Sequence, residues 1–568
     1  MIKLKQLLAE KLLSGIAAIN SESGLNASAI ADMLEYPPDA AMGDLALPCF
    51  KLSKTLRRSP VQIAETLAAS LESDCLKKAE ALNGYLNMYI SDKYYTDNVL
   101  CDVLNKGECY GAPEFGKGKT VVLDYSSPNV AKPFHIGHLG TTVIGHSLKK
   151  LHEFAGYKCV GINYLGDWGT QFGKLIVAYR KWGSRKDVED GGVDKLVELY
   201  VKFHNEAEND KSLEDQARAE FTKLEQGDIE NLELWRWFVD VSLAEYKQTY
   251  KLLDIEFDSY KGESFYTDKM PAQVELLREK GLLKIDDGAS IVDLEEYNMP
   301  PCLILKRDGS TLYPTRDIAA AVYRKNEYKF DKAIYVTSAG QSLHFAQWFK
   351  VVQMMGYDWY DQLVHVPYGT VSINGAKLAT RTGNVILLRD LFAQAIEKVS
   401  DIIEEKNPNL ENKQQIAEDV GVGAIIFYYL SNNRIKDINF IMEDALSFDG
   451  NTGPYVQYTY ARTCSILSKS TPAACEDKIS TNEERTLLSV LSRFEEKVVE
   501  AINAYEPSII TRYILDVAVA FNQFYHNCQI LGAEDEAVRS TRIRITKATQ
   551  TVLGNAFELI CLKKTEKI

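Results

Sequence analysis

At 568 residues the chain is too long for one hydrophobic core, and size alone predicts three or four domains. Apolar residues at 46% and charged residues at 25% are globular proportions that exclude a disordered or fibrous chain, and no run approaches the ~20 apolar residues of a membrane span. A formal charge of −14 excludes a generally adhesive nucleic-acid binder but leaves room for local basic surfaces.

The opening MIKLKQLLAEKLLSGIAAI has apolar residues at helical spacing interrupted by charge, unlike a signal peptide, so a cytoplasmic address is expected. Residues 1–92 read as an α+β N-terminal domain: this helix, the Pro- and Gly-punctuated LEYPPDAAMGDLALPCF, and a closing strand GYLNMYIS. Residues 93–445 read as a nucleotide-binding α/β domain with a parallel sheet. KGKTVVLDYSS supplies a buried strand, the chain breaks at Pro128 and Asn129, and TTVIGHSLKKLHEFAG supplies an amphipathic helix. Further strands are expected at VGINYL, KAIYVTS and LVHVPYGTVSI, interleaved with helices such as HFAQWFKVVQMMG, an alternation that favours a doubly wound sheet. The charged stretch from about 183 to 300, helical at first, reads as an insertion between two halves of that sheet. From about 386 the periodicity is almost wholly helical, and residues 446–568 are expected to form an all-α C-terminal domain. The ten cysteines contain no C-x-x-C pair, so neither a zinc ribbon nor a disulfide framework is predicted.

The segment SSPNVAKPFHIGHLG, residues 126–140, carries the strongest local signal. His135, Gly137 and His138 sit where a strand-to-helix turn can aim backbone N–H groups and two imidazoles at an anion, and Gly137 permits a flat base to approach. A metal pair at i, i+3 and a structural histidine pair are the competing readings; no third ligand stands at a familiar spacing. The sequence HIGH followed by a later lysine-bearing loop resembles the signature pair of class I aminoacyl-tRNA synthetases. The flanks SSPNVAKPFHIGHL and NYLGDWGTQFG, with TLYPTRDIAAAVYR and DGNTGPYVQYTYAR further on, resemble the arginyl family, and the likeness covers essentially the whole chain.

That resemblance implies a Rossmann-type catalytic domain that activates L-arginine with ATP, as its Mg²⁺ complex, and passes it to the 3′ end of a tRNA. No permanently bound metal, no editing domain and a monomer are expected, with tRNA bound before activation. Catalysis needs positioned cations and N–H donors rather than a covalent intermediate. His135, Gly137 and His138 are expected at the ATP, with Lys377 and Leu378 from KLATRTGN, the counterpart of the second signature loop. Thr380 stands where that loop carries its second lysine, and Lys132 is expected to replace the lost charge.

Arginine recognition calls for carboxylates, because a planar guanidinium pairs with them bidentately. The resemblance assigns the guanidinium to Asp317, places Tyr313 one helical turn away in the same pocket, and gives Asn129 and Gln341 to the substrate's amino and carboxylate end. Asp124 is a further acid, where the family often has a longer Glu, so a water can bridge it. In the C-terminal domain Tyr455, Gln457, Tyr458, Tyr460 and Arg462 are expected to stack on or bond to unpaired tRNA bases, and Arg542, in the basic cluster with Arg539, Arg544 and Lys547, to meet RNA; helix-core packing is the alternative for each tyrosine. A cysteinyl-type enzyme is disfavoured by the missing zinc cluster, and an RNA-binding protein without catalysis is supported only by the altered lysine loop.

Overall fold

In the computed structural model residues 1–377 and 386–568 are described, so the expected site residue Leu378 and Thr380 lie outside the described residues. The first helix, Ile2–Ile19, forms because Leu4, Leu8, Leu12 and Ile16 recur every fourth residue and all are buried on one face. It packs on the helix Pro60–Ser70, which lies over an antiparallel sheet of order β1-β3-β2, with β1 at Leu45–Pro48, β2 at Leu76–Leu82 and β3 at Tyr85–Ile90. Asn83 and Gly84, both at positive φ, close the β2–β3 hairpin in two residues, the chemistry an Asn-Gly turn permits.

The central sheet has the order β10-β9-β4-β5, and every pair in it is parallel. Its strands are β4 at Thr120–Asp124, β5 at Lys158–Ile162, β9 at Lys332–Ser338 and β10 at Leu363–Tyr368. Strand β4 is the switch point: the chain crosses to β5 on one side through the helix Leu139–Phe154, and returns on the other side as β9 and β10. Divergence at the carboxyl ends of such strands opens a crevice for ligands.

Between the halves lie the helices Arg185–Asn209, Ser212–Glu225 and Ile229–Leu252. An antiparallel sheet follows them, with β6 at Leu283–Asp286, β7 at Ala289–Val292 and β8 at Cys302–Leu305.

Two sequence expectations need correction. LVHVPYGTVSI is not one strand: it breaks after β10 because Gly369 passes so close to the Lys436 carbonyl that a Cβ would lie 2.4 Å from it. The remainder, β11 at Val371–Ile373, joins another sheet with β12 at Ala376–Lys377 and β13 at Ile438–Phe440. Nor does each unit keep a private core. One cluster of buried side chains runs from Leu4 through the sheet to Leu562, while a second, with Val122, Ile318 and Trp348, fills the other face of the sheet. The Arg485 guanidinium donates to Ile90 O at 2.7 Å and the Tyr36 hydroxyl to Glu496 Oε2 at 2.5 Å, tying the N-terminal unit to the C-terminal helices.

Candidate active site

The crevice beyond β4 and β9 is a cavity of about 650 Å³. Asp124, Asn129, His138, Tyr313, Asp317 and Gln341, six residues drawn from separated parts of the sequence, all line it. Asp124 ends β4, and Tyr313 and Asp317 stand one turn apart on the helix Tyr313–Tyr328. Gln341 lies in the turn after β9. Asn129 is seated against Gly166, whose missing Cβ would fall 2.0 Å from the Asn129 Oδ1. A side chain at 166 would therefore evict the asparagine.

The two histidines form an interlocked pair. The His135 N–H donates to His138 Nδ1 at 3.2 Å, and the Gly137 N–H donates to His135 Nδ1 at 3.0 Å. With both Nδ1 atoms accepting, each neutral ring carries its proton on Nε2. Burial lowers the His138 pKa to about 3 and lowers that of His135, and the nearby Lys132 charge adds to both. Near neutral pH the pair therefore offers two neutral N–H donors. One expectation is corrected here. The backbone N–H groups of the turn do not point at an anion: besides those of His135 and Gly137, that of Ile136 donates to Ile386 O at 3.1 Å and that of His138 to His135 O at 2.8 Å.

Lys132 is exposed, at the end of a loop in which Ser126, Ser127 and Ala131 all have positive φ. Lys377 ends β12, paired with Ser372 of β11.

Sequence reasoning missed how the pocket's acids are partnered. Asp124 is buried, and its Oδ2 lies 2.7 Å from Arg324 Nη1 while the Ser127 hydroxyl donates to Oδ1 at 2.9 Å. Burial raises the Asp124 carboxyl and Arg324 opposes that shift. The carboxylate that the sequence offers to the substrate is thus also paired with the chain's own guanidinium. Glu263, also lining the cavity, pairs with Arg316 at 2.6 Å, and burial pushes its pKa up to about 7. Asp317 accepts from His344 Nε2 at 2.6 Å. Of these three acids, Asp317 is the one paired with an imidazole rather than a guanidinium. Glu263, Arg324 and His344 occur among ordinary charged helix and loop sequence, and no spacing singled them out.

The chain matches three family descriptions in order: "Arginyl tRNA synthetase N terminal domain" over residues 3–90, "tRNA synthetases class I (R), catalytic domain" over 99–442, and "DALR anticodon binding domain" over 456–568. It is 50% identical over 550 residues to an arginine–tRNA ligase of Alkaliphilus metalliredigens, covering 96% of this chain and 97% of that one. The chain belongs to the arginyl-tRNA synthetase family. A Clostridioides difficile arginine–tRNA ligase is likewise 50% identical over 549 residues, covering 96% and 97% of the two chains. Among solved structures, the arginyl-tRNA synthetase of Thermus thermophilus superposes with a TM-score of 0.83 at 25% identity over 99% of this chain and all of its own.

In this arginyl-tRNA synthetase chain the C-terminal part is built from long helices, among them Gly453–Leu467, Ser508–Asn527 and Glu536–Leu559. Arg462 is sandwiched between the exposed rings of Tyr458 and Tyr525, at 5.0 and 4.6 Å from their centroids, and donates to Asn522 Oδ1 at 2.6 Å. Asn522 in turn donates to the Tyr455 hydroxyl at 2.8 Å. Arg462, Lys469, Tyr525, His526 and Gln529 line a surface cavity of about 410 Å³.

Other residues expected at RNA are structural, which corrects the sequence assignment. Gln457 is fully buried and donates to Lys563 O at 3.1 Å, and Tyr460 is buried against Phe557. Arg542 is buried in an ion pair with Glu484 at 2.6 Å, while Arg544 pairs with Asp477 at 2.5 Å. Tyr525, His526 and Gln529 were not singled out in the sequence; separations of 63 to 67 residues from Arg462 hide the grouping until the helices pack.

Proposed function

We propose that this cavity activates L-arginine and that the chain is an arginine–tRNA ligase. The arginine carboxylate attacks the α-phosphorus of ATP, bound as its Mg²⁺ complex, and pyrophosphate leaves. A hydroxyl of the tRNA's terminal ribose then attacks the arginyl carbonyl, and AMP leaves. The observation that carries this reading is the convergence of Asp317, Tyr313, Gln341, Asn129 and His138 on one cavity at the switch point of the sheet.

The guanidinium sits at Asp317, the acid held by an imidazole rather than by a guanidinium of the chain, with Tyr313 flanking it and Glu263 adding a second carboxylate. Asn129 and Gln341 hold the α-amino and carboxylate end. The Nε2–H groups of His135 and His138 donate to phosphate oxygens as charge develops there, which needs no reorganisation because both tautomers are already fixed. Lys132 meets the pyrophosphate end of ATP, with Gly137 beside the nucleotide. Lysine is rejected because a point charge leaves part of the forked site unpaired.

Tyr458, Arg462 and Tyr455 form the face for unpaired tRNA bases, since stacking rings and a guanidinium suit them. One copy carries both the pocket and this face, which supports action as a monomer, and its free cysteines suit a reducing, cytoplasmic setting.

The test is to give purified protein ATP, Mg²⁺, labelled arginine and total tRNA, measuring acid-precipitable arginine, and to follow ATP–pyrophosphate exchange with and without tRNA. Arginine, and not lysine, should be charged. Asp317→Asn should raise the KM for arginine by about tenfold to a hundredfold, the loss of one charge-assisted bond of about 1.5–3 kcal/mol. Equal turnover of lysine, or an unchanged KM in the variant, would remove Asp317 from the guanidinium slot.

A further inference from the structure

The loop that presents Asn129 and Lys132 is a conformation the chain would not keep unaided. Ser126, Ser127 and Ala131 have φ of +70°, +47° and +56°, and none is a glycine. Such backbone is sparsely populated by residues with a side chain and persists only where its surroundings hold it.

Thr141 and Thr142 hold Ser126, and Gly166 bonds the backbone of Pro128 and Val130; the remaining holding groups come from one face of the insertion helix Ile229–Leu252. Ser242, Tyr246 and Tyr250 are spaced by four and are all buried, so their three hydroxyls form a column along that face. The Ser242 hydroxyl accepts from the Ala131 N–H at 3.0 Å. The Tyr250 hydroxyl lies 2.8 Å from the Ser126 hydroxyl and accepts from the Asn163 amide at 2.9 Å. Between them, the Tyr246 hydroxyl lies 2.8 Å from both the Asn129 and the Lys132 carbonyl oxygens and shares its one proton between them. The two ends of the turn are drawn to a single atom.

We propose that Tyr246 is a positioning residue for arginine activation: its hydroxyl clasps the turn and so fixes where Lys132 leaves it, and the insertion thereby sets the geometry of the reaction without touching substrate. This rests on the reading that Lys132 serves the pyrophosphate end of ATP. The Tyr246 ring also packs on Phe134, with centroids 5.3 Å apart, so Tyr246→Phe removes the clasp and leaves the packing in place.

The test is a double-mutant cycle on ATP–pyrophosphate exchange, run on the full chain with tRNA present, using Tyr246→Phe, Lys132→Ala and the pair. Tyr246→Phe should lower kcat by about tenfold with its thermal midpoint within a few degrees of the parent, since misplacing a charged group costs rate rather than folding. Added to Lys132→Ala, the same change should lower kcat by less than about twofold, because the group it positions is gone. Ser242→Ala, which withdraws the acceptor from the Ala131 N–H, should show the same loss and the same dependence on Lys132.

A tenfold loss in both backgrounds would overturn the proposal in favour of general destabilisation, and a silent Tyr246→Phe beside an impaired Lys132→Ala would overturn the clasp alone. A silent Lys132→Ala would overturn the role of Lys132 and the clasp together.

Discussion

Each acid in the cavity is matched to a base of the chain, and the kind of base decides what the acid can do. Asp124 faces the buried Arg324, so removing the guanidinium would leave an unpaired charge in the interior. Arg324→Met should destabilise the protein by about 3–5 kcal/mol, and Arg324→Met with Asp124→Asn should recover much of that loss, as read from thermal or urea unfolding. Failure of the second substitution to restore stability would mean that the arginine acts through packing on Tyr164, Tyr266 and Tyr335 instead.

Glu263 behaves differently because burial raises its pKa to about 7. Below that pH the carboxyl holds a proton and offers the substrate no charge; above it the group ionises. Arginine affinity should therefore rise as pH increases through about 7, seen as a KM that falls severalfold between about pH 6 and 8. Glu263→Gln should flatten that profile, and an unaltered slope would place Glu263 outside the guanidinium slot. None of this partnering was legible beforehand, since Arg324, Arg316 and His344 reach their acids only after β4, β9 and two helices are assembled.

At the scale of elements, helical periodicity was read correctly from sequence for the helices 139–154, 342–354 and 453–467. Periodicity does not say which face meets solvent. Arg462 and Arg542 are the same residue type in neighbouring helices of one bundle, yet one stacks at the surface between two tyrosines and the other neutralises a fully buried Glu484. The two should fail in different ways. Arg462→Ala should weaken tRNA binding with little change in melting, whereas Arg542→Ala should cost about 3–5 kcal/mol of stability by stranding Glu484. Filter binding and thermal denaturation on the two variants separate the cases; a folded, tightly binding Arg462→Ala protein would remove that arginine from the RNA face. The Ser242, Tyr246 and Tyr250 column shows the same limit. Its spacing of four is visible in the chain, but so is the ordinary explanation of a buried helix face.

For the molecule as a whole, the shared core has a mechanical consequence. The buried cluster that begins at Leu4 continues through the catalytic sheet to Leu562, and Arg485 bridges the N-terminal sheet to the C-terminal helices. The N-terminal unit should accordingly melt with the rest in one calorimetric transition. Arg485→Ala should lower the midpoint of that transition rather than release an early one, and two well-separated transitions in the parent protein would contradict the shared core.

The sequence by itself determined the family, the parallel sheet with its insertion and helical end, and the residue types at the pocket, because periodicity, turn chemistry and the signature segments are local and survive in one dimension. Only the tertiary structure decided which charges are free. It buried Asp124 against Arg324 and Arg542 against Glu484, set Asp317 against the His344 imidazole, fixed the tautomers of His135 and His138, and set Tyr246 between two carbonyls more than a hundred residues away in sequence. Desolvation and ion pairing depend on neighbours brought together by folding, so the same residue letter gives opposite roles at different places in the fold.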